Sequence, residues 1–306
     1  MAIARYDTAA TGKVKDVLSF GAGVQSTTLL LMSCEGVLPK LDHVIFADTQ
    51  WEPVAVYSHL EWCKEIAAKH GIAIDVRTAG NLRNDLLGFW GPNRKSDDGK
   101  RYASIPAFIK NPDGSRGIVR RQCTSEYKIN VIERYVRQEI LGLAHRQRWP
   151  KNLAVRQWIG ISTDESQRMK RSLRPAQAFW HPLIEAEQLR INSAGRLPGM
   201  AVGMSREDCL GWMASRGYPR PPKSACIGCP FRRNAEWRAL SRDEFADACE
   251  VDDLIRDSAT ARHPGDLIGR PYLHDSLVPL REAAIGRDEN TEWADFQNEC
   301  DGVCGV

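Results

Sequence analysis

The stretch Val14-Lys15-Asp16-Val17-Leu18-Ser19-Phe20-Gly21-Ala22-Gly23-Val24-Gln25-Ser26-Thr27 decides the fold. Apolar Val14, Val17, Leu18 and Phe20 read as a strand and Gly21-Ala22-Gly23 as a turn. Gln25–Glu35 reads as a helix that Gly36 stops. The rhythm then repeats. His43–Ala47 is a second short apolar strand, and Pro53 opens a helix that sets Val56, Leu60, Cys63 and Ala67 on one face before Gly71. Ile72–Val76 is a third strand. Strands alternating with helices of this length predict right-handed β-α-β units. The expected fold is α/β, a parallel sheet with helices on both faces.

Phe89–Arg121 breaks the rhythm with Gly, Pro, Asn, Asp and basic residues, and reads as a long surface insertion. Thr124 or Ser125 caps the next expected helix, whose buried side is Ile132, Val136 and Ile140. Val155–Ile161 reads as a fourth strand and Glu185–Gly203 as a loop. Ser205 with Asp208 makes a capping-box start for a helix through Cys209, Trp212 and Met213. The division expected is a nucleotide-binding domain over residues 10–184 and a smaller cysteine-bearing lobe and tail over 185–306.

Composition fits an ordinary globular protein: 306 residues, 42% hydrophobic and 26% charged. The longest apolar run, Leu29–Met32, is far below the roughly 20 residues of a membrane span, and residues 1–15 carry no apolar signal core. The cytoplasm is therefore the expected compartment. The net charge of +3 hides an uneven distribution. Arg116–Arg156 holds ten Lys/Arg against three Asp/Glu, whereas after Ser241 there are sixteen acidic residues against six basic. Such asymmetry predicts a positive face for phosphates, unless these are two solvated faces that neutralise each other. The tryptophans Trp158, Trp180, Trp212 and Trp237 lie in apolar patterns and are expected in the core rather than as stacking platforms for bases.

The glycine turn carries the first chemistry. A strand leading through glycines into a helix N-terminus offers unpaired backbone N–H groups and the positive end of a helix dipole. Ser19, Gly21, Gly23, Gln25, Ser26 and Thr27 are thus candidates for holding a phosphate or pyrophosphate. The Walker pattern fails for want of a lysine after the glycines. The dinucleotide fingerprint lacks its third glycine, since Ser26 stands there, although Asp48 after the second strand keeps a dehydrogenase reading open. A tight turn with no ligand is the remaining alternative.

Nine cysteines in a chain expected in a reducing compartment read as core residues, metal ligands or redox groups rather than disulfides. Cys34, Cys63, Cys209 and Cys249 sit among apolar residues at helical spacing and are expected in the core. Cys226-Ile227-Gly228-Cys229 is different, a turn in which two thiolates can grip one metal centre. Cys123 stands alone at a helix start, where the dipole favours its thiolate. Asp164, Glu165 and Arg168 follow the fourth strand, placed to hold magnesium and a phosphate or else to cap a helix.

Together these segments resemble the PP-loop nucleotide α-hydrolase superfamily. The closer likeness is to its phosphoadenosine phosphosulfate (PAPS) reductase-like branch, which also contains DNA phosphorothioation ATPases. The likeness rests on Ser-x-Gly-x-Gly-x-x-Ser-Thr with Ala47-Asp48-Thr49, and on the Arg121–Lys128 and Gly160–Arg168 segments. Phe20 and Gln25 depart from the usual loop. The resemblance implies ATP (or PAPS) and magnesium at the glycine loop. It also sets Cys123 across the cleft from the Cys226/Cys229 pair. Three thiolates without a histidine fit an iron–sulfur cluster better than zinc. A 4Fe–4S cluster with three Cys ligands is expected, with dithiol chemistry as an alternative. The terminal Cys300 and Cys304 are candidates for carrying sulfur, or incidental in a frayed tail. Arg120, Arg121 and Lys128 are candidates for binding substrate.

The implied activity is ATP-dependent sulfur transfer to a nucleic acid, tRNA or DNA, with a sulfur donor such as a cysteine desulfurase as a further partner. Reduction of an adenylylsulfate is the enzymatic alternative, and a nucleotide-sensing module the non-catalytic one.

Overall fold

The computed structural model describes residues 14–90, 105–119, 122–185, 203–260 and 269–286. Its first half runs β1 (Lys15–Phe20), α1 (Val24–Cys34), β2 (His43–Asp48), α2 (Val54–Lys69), β3 (Ile74–Thr78) and α3 (Leu82–Trp90). A hairpin follows, β4 (Ala107–Lys110) and β5 (Arg116–Val119). Next comes a helical rod whose middle is α4 (Asn130–Tyr135), with π-helical turns at Thr124–Ile129 and Val136–Ile140. The chain continues through β6 (Val155–Trp158), β7 (Gln177–Trp180), α5 (Arg206–Ala214), α6 (Asn234–Arg238), α7 (Arg242–Thr260) and β8 (Arg270–Tyr272).

β1 lies at the centre of a five-stranded, wholly parallel sheet of order β3-β2-β1-β6-β7. Side chains alternate across it as the strand period requires. Leu18, Phe20, Val44 and Phe46 pack into a core with α1 and α2, whereas Val17, Ile45, Ala47 and Val155 meet Val131, Ile132 and Tyr135 of α4. Helices therefore cover both faces, as the alternation of elements predicts. All eleven residues of α1 are buried, because α5 lays Cys209, Trp212 and Met213 over its outer side. The Ser205–Asp208 capping box of α5 is formed: Ser205 Oγ accepts from Asp208 N at 3.1 Å, and Asp208 Oδ2 accepts from Ser205 N at 2.8 Å. Trp158, Trp180, Trp212 and Trp237 are all buried, Trp158 and Trp180 edge to face with centroids 4.8 Å apart.

The stretch read as a surface insertion is more than a loop. Within it β4 and β5 pair antiparallel, and β8, some 150 residues later, joins β4 to make a three-stranded sheet. A core spans these parts: Leu82 and Leu86 of α3, Ala107 of β4, Trp237, Val251 and Leu273. Asp252, fully buried on α7, anchors it by accepting from the backbone N–H of Leu273 at 2.7 Å and of Leu280 at 2.9 Å. Among the described residues no helix is long and apolar enough to cross a membrane.

Basic residues close in sequence are apart in space. Arg156, second in β6, lies near the amino-terminal edge of the sheet, where its guanidinium grips Asp16 at 2.6 and 2.8 Å. Arg137 is engaged by the carbonyls of Ala144 and Gln147. The glycine turn lies at the opposite, carboxyl edge.

Cys34, Cys63, Cys209 and Cys249 are buried in the cores, as their spacing predicts. Burial pushes the thiols of Cys63 and Cys209 up to about 12. An unfolded thiol ionises near 8.5, so above that pH the unfolded state loses protons that the folded state keeps, and stability falls as pH rises toward 12. Urea unfolding at pH 10 and 11 should show this. Replacing Cys63 and Cys209 together by Ala should flatten the slope by about 2.7 kcal/mol per pH unit, two protons' worth. An unchanged slope would show that these thiols are not held protonated.

Candidate functional site

Between β1 and β6 the strand order reverses. Chains leaving the carboxyl ends of these neighbours diverge there, and the crevice so formed is where open α/β sheets bind ligands. The turn after β1 shapes one wall. Its left-handed residue is Ala22, with φ of 58°, and not either glycine; Gly23 is extended and caps α1. Ser26 closes the turn, its Oγ accepting from Gly21 N at 3.3 Å and donating to Gly23 O at 3.5 Å. No acidic residue occupies the first turn of α1, so its positive end is not neutralised from within.

The other wall is the segment after β6, expected to be strand as far as Ile161. The strand stops at Trp158 because the chain here presses on the turn. A Cβ on Gly160 would lie 2.9 Å from the backbone nitrogen of Ser26 and 3.2 Å from Gln25 Cβ. Only glycine fits so near a neighbouring backbone. Gln25, wholly buried, spans the two walls: its Nε2 donates to Ser162 Oγ and to Glu165 Oε2, each at 3.2 Å. Arg168 Nη1 donates to Glu165 Oε2 at 2.6 Å, and Arg206 Nη1 to Gln25 Oε1 at 3.4 Å. Glu165 and Arg168 thus direct charge at each other across the base of the crevice. Asp164 is exposed, accepts from Arg206 N at 3.1 Å, and is the more open of the two carboxylates to a cation.

The remaining expected loop residues also have partners inside the protein. Ser19 accepts from Gln157 Nε2 at 2.5 Å. Thr27 Oγ1 lies 3.1 Å from Nε2 of His59, whose burial lowers its pKa to about 4 and keeps the ring neutral. Asp48 Oδ1 accepts from Gln50 N at 2.7 Å and Tyr57 Oη at 2.9 Å, which bends the chain after β2. Gln50, with φ of 56°, takes up that bend.

Beside the crevice lies a pocket lined by Cys123, Cys226 and Cys229, with Lys128 and Thr49. Cys123 sits immediately before the rod and Lys128 within its first π-helical stretch. Cys226 and Cys229 come from the loop before α6, closed by Cys229 N donating to Cys226 O at 3.0 Å. The cysteine loop is tied to the glycine turn by a buried hydrogen bond from Ser224 Oγ to Gly21 O. It is tied to the bend after β2 by Ile227 N donating to Trp51 O at 2.9 Å. Trp51 also explains Gly228, where a Cβ would lie 2.2 Å from its ring. The indole Nε1 in turn donates to Asp247 of α7 at 2.6 Å.

Under the thiols lies a buried ion pair. Lys128 Nζ is 3.3 Å from Glu52 Oε1, which also accepts from Cys226 Sγ at 3.4 Å, and Thr49 Oγ1 is 3.3 Å from the same sulfur. Glu52 Oε2 is buried with no hydrogen-bond partner. Burial, then the Glu52 charge, pushes the Cys226 thiol well up, and Lys128 partly offsets this. Trp51 and Glu52 carry no periodicity or motif, so nothing in the sequence singles them out. Arg206 was likewise not expected here, whereas Thr49 belongs to the Ala47-Asp48-Thr49 segment already singled out.

Among the described residues no three His, Cys, Asp or Glu side chains converge on the position of one metal ion. Arg120, Arg121, Cys300 and Cys304 lie outside the described residues. Compared with protein-family models and with curated proteins, the sequence matches none.

The Gly228–Trp51 contact can be measured. Gly228→Ala should destabilise the protein by about 1–3 kcal/mol, the usual cost of overpacking. In a Trp51→Leu background, where the ring is gone, the same change should cost less than half as much. Equal costs in the two backgrounds, read by urea unfolding, would show that the ring does not enforce the glycine.

Proposed function

We propose that this protein is a PP-loop enzyme of the PAPS reductase-like kind. It would activate an acceptor oxygen with ATP, release pyrophosphate, and replace the adenylate with sulfur. The observation that carries the reading is the hydrogen bond from Ser224 to Gly21, which makes the cysteine loop and the glycine turn adjoining walls of one region. A nucleotide at the turn and a sulfur-handling group at the thiols would then be neighbours. ATP-dependent sulfur transfer needs that proximity.

The residues divide the work. Backbone N–H groups at the start of α1 would hold the pyrophosphate and stabilise it as it leaves. Gln25, braced by Ser162, Glu165 and Arg206, keeps the turn in one shape, so that little ordering is needed on binding. Asp164 is the carboxylate open to magnesium. Cys123, Cys226 and Cys229 would hold a 4Fe–4S cluster. Their donor set is all thiol, and they are spread around one cavity. A single zinc, with bonds of about 2.3 Å, needs its ligands to converge. A cluster with three cysteine ligands supplies an iron open to a further sulfur. Lys128, held by Glu52, brings positive charge to that wall.

An anaerobic assay with ATP should yield pyrophosphate when an acceptor nucleic acid and a sulfur source are present. Sulfite from phosphoadenylylsulfate would replace this reading with the reductase, and tight binding without turnover with the sensing module. Gly23→Val should abolish ATP binding, since a branched side chain would fill the space of the phosphate. Ser26→Ala should weaken it by roughly 1–3 kcal/mol through the loosened turn. Unchanged affinity in the valine variant would move the nucleotide elsewhere.

Protein purified without oxygen should carry iron and acid-labile sulfide near four per chain, as a 4Fe–4S cluster requires. Ala at Cys123, Cys226 or Cys229 should each remove the brown colour. A colourless protein with one zinc would end the cluster reading.

A further inference from the structure

The small antiparallel sheet carries a feature that neither the nucleotide nor the cysteine site uses. Lys110 stands directly opposite Arg116 on β5 and directly opposite Arg270 on β8. Residues at one register position of adjacent strands project from the same face, so the three cations form a single row across the sheet. All three are exposed. None of the three side chains has a hydrogen-bond or ion-pair partner among the described residues. Like charges placed directly opposite destabilise a sheet, so the fold bears this row at a cost. The hairpin's own carboxylate, Asp113, accepts from Ser115 N at 2.9 Å within the turn and makes no ion pair with any of the three. One step along the strands on the same face, Phe108 and Tyr272 are buried and only Ile118 is exposed, so the row lies at the open end of that face.

The spacing suggests what the row meets. Neighbouring strands lie about 4.8 Å apart, so three of them set the cations over about 10 Å. Duplex DNA carries one phosphate charge per about 1.7 Å of its axis, so a row of this length meets a dense run of negative charge. We infer that this row is a docking surface for the phosphodiester backbone of a nucleic acid. It reads charge and not base identity. The surface also lies near the chemistry. Ile105 and Pro106 line the cysteine cavity, and Lys110 follows Ala107 by three residues, about 10 Å along β4. The inference rests on the proposed function only in taking the acceptor to be nucleic acid, and binding can be measured without ATP or turnover.

The test is fluorescence anisotropy with a labelled DNA duplex of about 20 base pairs, titrated with the full chain between about 50 and 200 mM salt. Each neutralised phosphate adds about −0.9 to the log–log slope, so Lys110→Gln, Arg116→Gln and Arg270→Gln should each make it shallower by about 0.9, and the triple variant by about 2.7. The triple variant should melt no lower than wild type, because opposed charges are removed. If it melts lower, the single variants decide. A slope unchanged by the substitutions, or no binding by wild type at the lowest salt, would overturn the inference. So would binding to phosphatidylserine vesicles but not to duplex, which would assign the row to a lipid surface. Loss of slope in the variants without any pyrophosphate release by wild type would leave the row standing and sink the sulfur-transfer reading.

Discussion

Trp51 is in contact with two separate parts of the chain, the cysteine loop and α7, and the region around the cysteines depends on both. Its carbonyl receives Ile227 N, its ring lies on Gly228, and its Nε1 donates to Asp247 of α7. Asp247 also receives Arg83 of α3, and Glu244, one turn earlier on α7, accepts from Val54 N at the start of α2 at 2.7 Å. The bend after β2 is thereby clamped between a helix of the second half and the cysteine loop. A buried aromatic with a satisfied N–H is well suited to this, since it contributes a large apolar area and a directional anchor from one side chain. Without it the thiols would hang from a loop held mainly by Ser224 and Arg232, whose Nη2 reaches the carbonyls of Ala225 and Cys226.

Charged residues that cluster along the sequence take partners in separate parts of the structure. The acidic excess after Ser241 falls partly on α7, where Glu244, Asp247 and Glu250 are spent on backbone, indole and arginine partners in the first half of the chain. Arg156, in the basic stretch, is spent on Asp16 at the far edge of the sheet. Lys128 is spent on Glu52 beneath Cys226. A run of like charge in sequence is a statement about neighbours along the chain, and a parallel sheet sends such neighbours to opposite edges.

The parallel sheet was legible because β1 and β2 carry short buried apolar runs and the helices after them carry stops at Gly36 and Gly71, both at positive φ, whereas β7, Gln-Ala-Phe-Trp, shows no such run and was not expected. The glycine turn, the capping box of α5 and the buried cysteines were legible for the same local reason. The small sheet was not. β4 is four residues long and its partner β8 has three, so neither shows a period, and the pairing links residues 160 apart that no local rule connects. The bracing of Gln25 by Ser162, Glu165 and Arg206 and the placing of Glu52 under Cys226 failed to show for a related reason. Each is a contact between single polar residues from distant segments, and single residues carry no pattern. The turn itself held a smaller surprise, since the left-handed conformation fell to Ala22, flanked by the two glycines that could have taken it more cheaply.

Gly160 and Gly228 are both enforced by close contact, yet they differ in how a lineage could leave them. At Gly228 the obstacle is the ring of Trp51, a side chain that can itself be exchanged. A smaller residue at 51, arising first, opens 228 to alanine, and the order of the two changes decides whether the path is passable. At Gly160 the nearest atom is the main-chain nitrogen of Ser26, present whatever residue stands at 26. No single replacement elsewhere relieves it. Drift can therefore travel through the cysteine loop by paired steps, while the wall of the crevice formed by residue 160 stays closed to it.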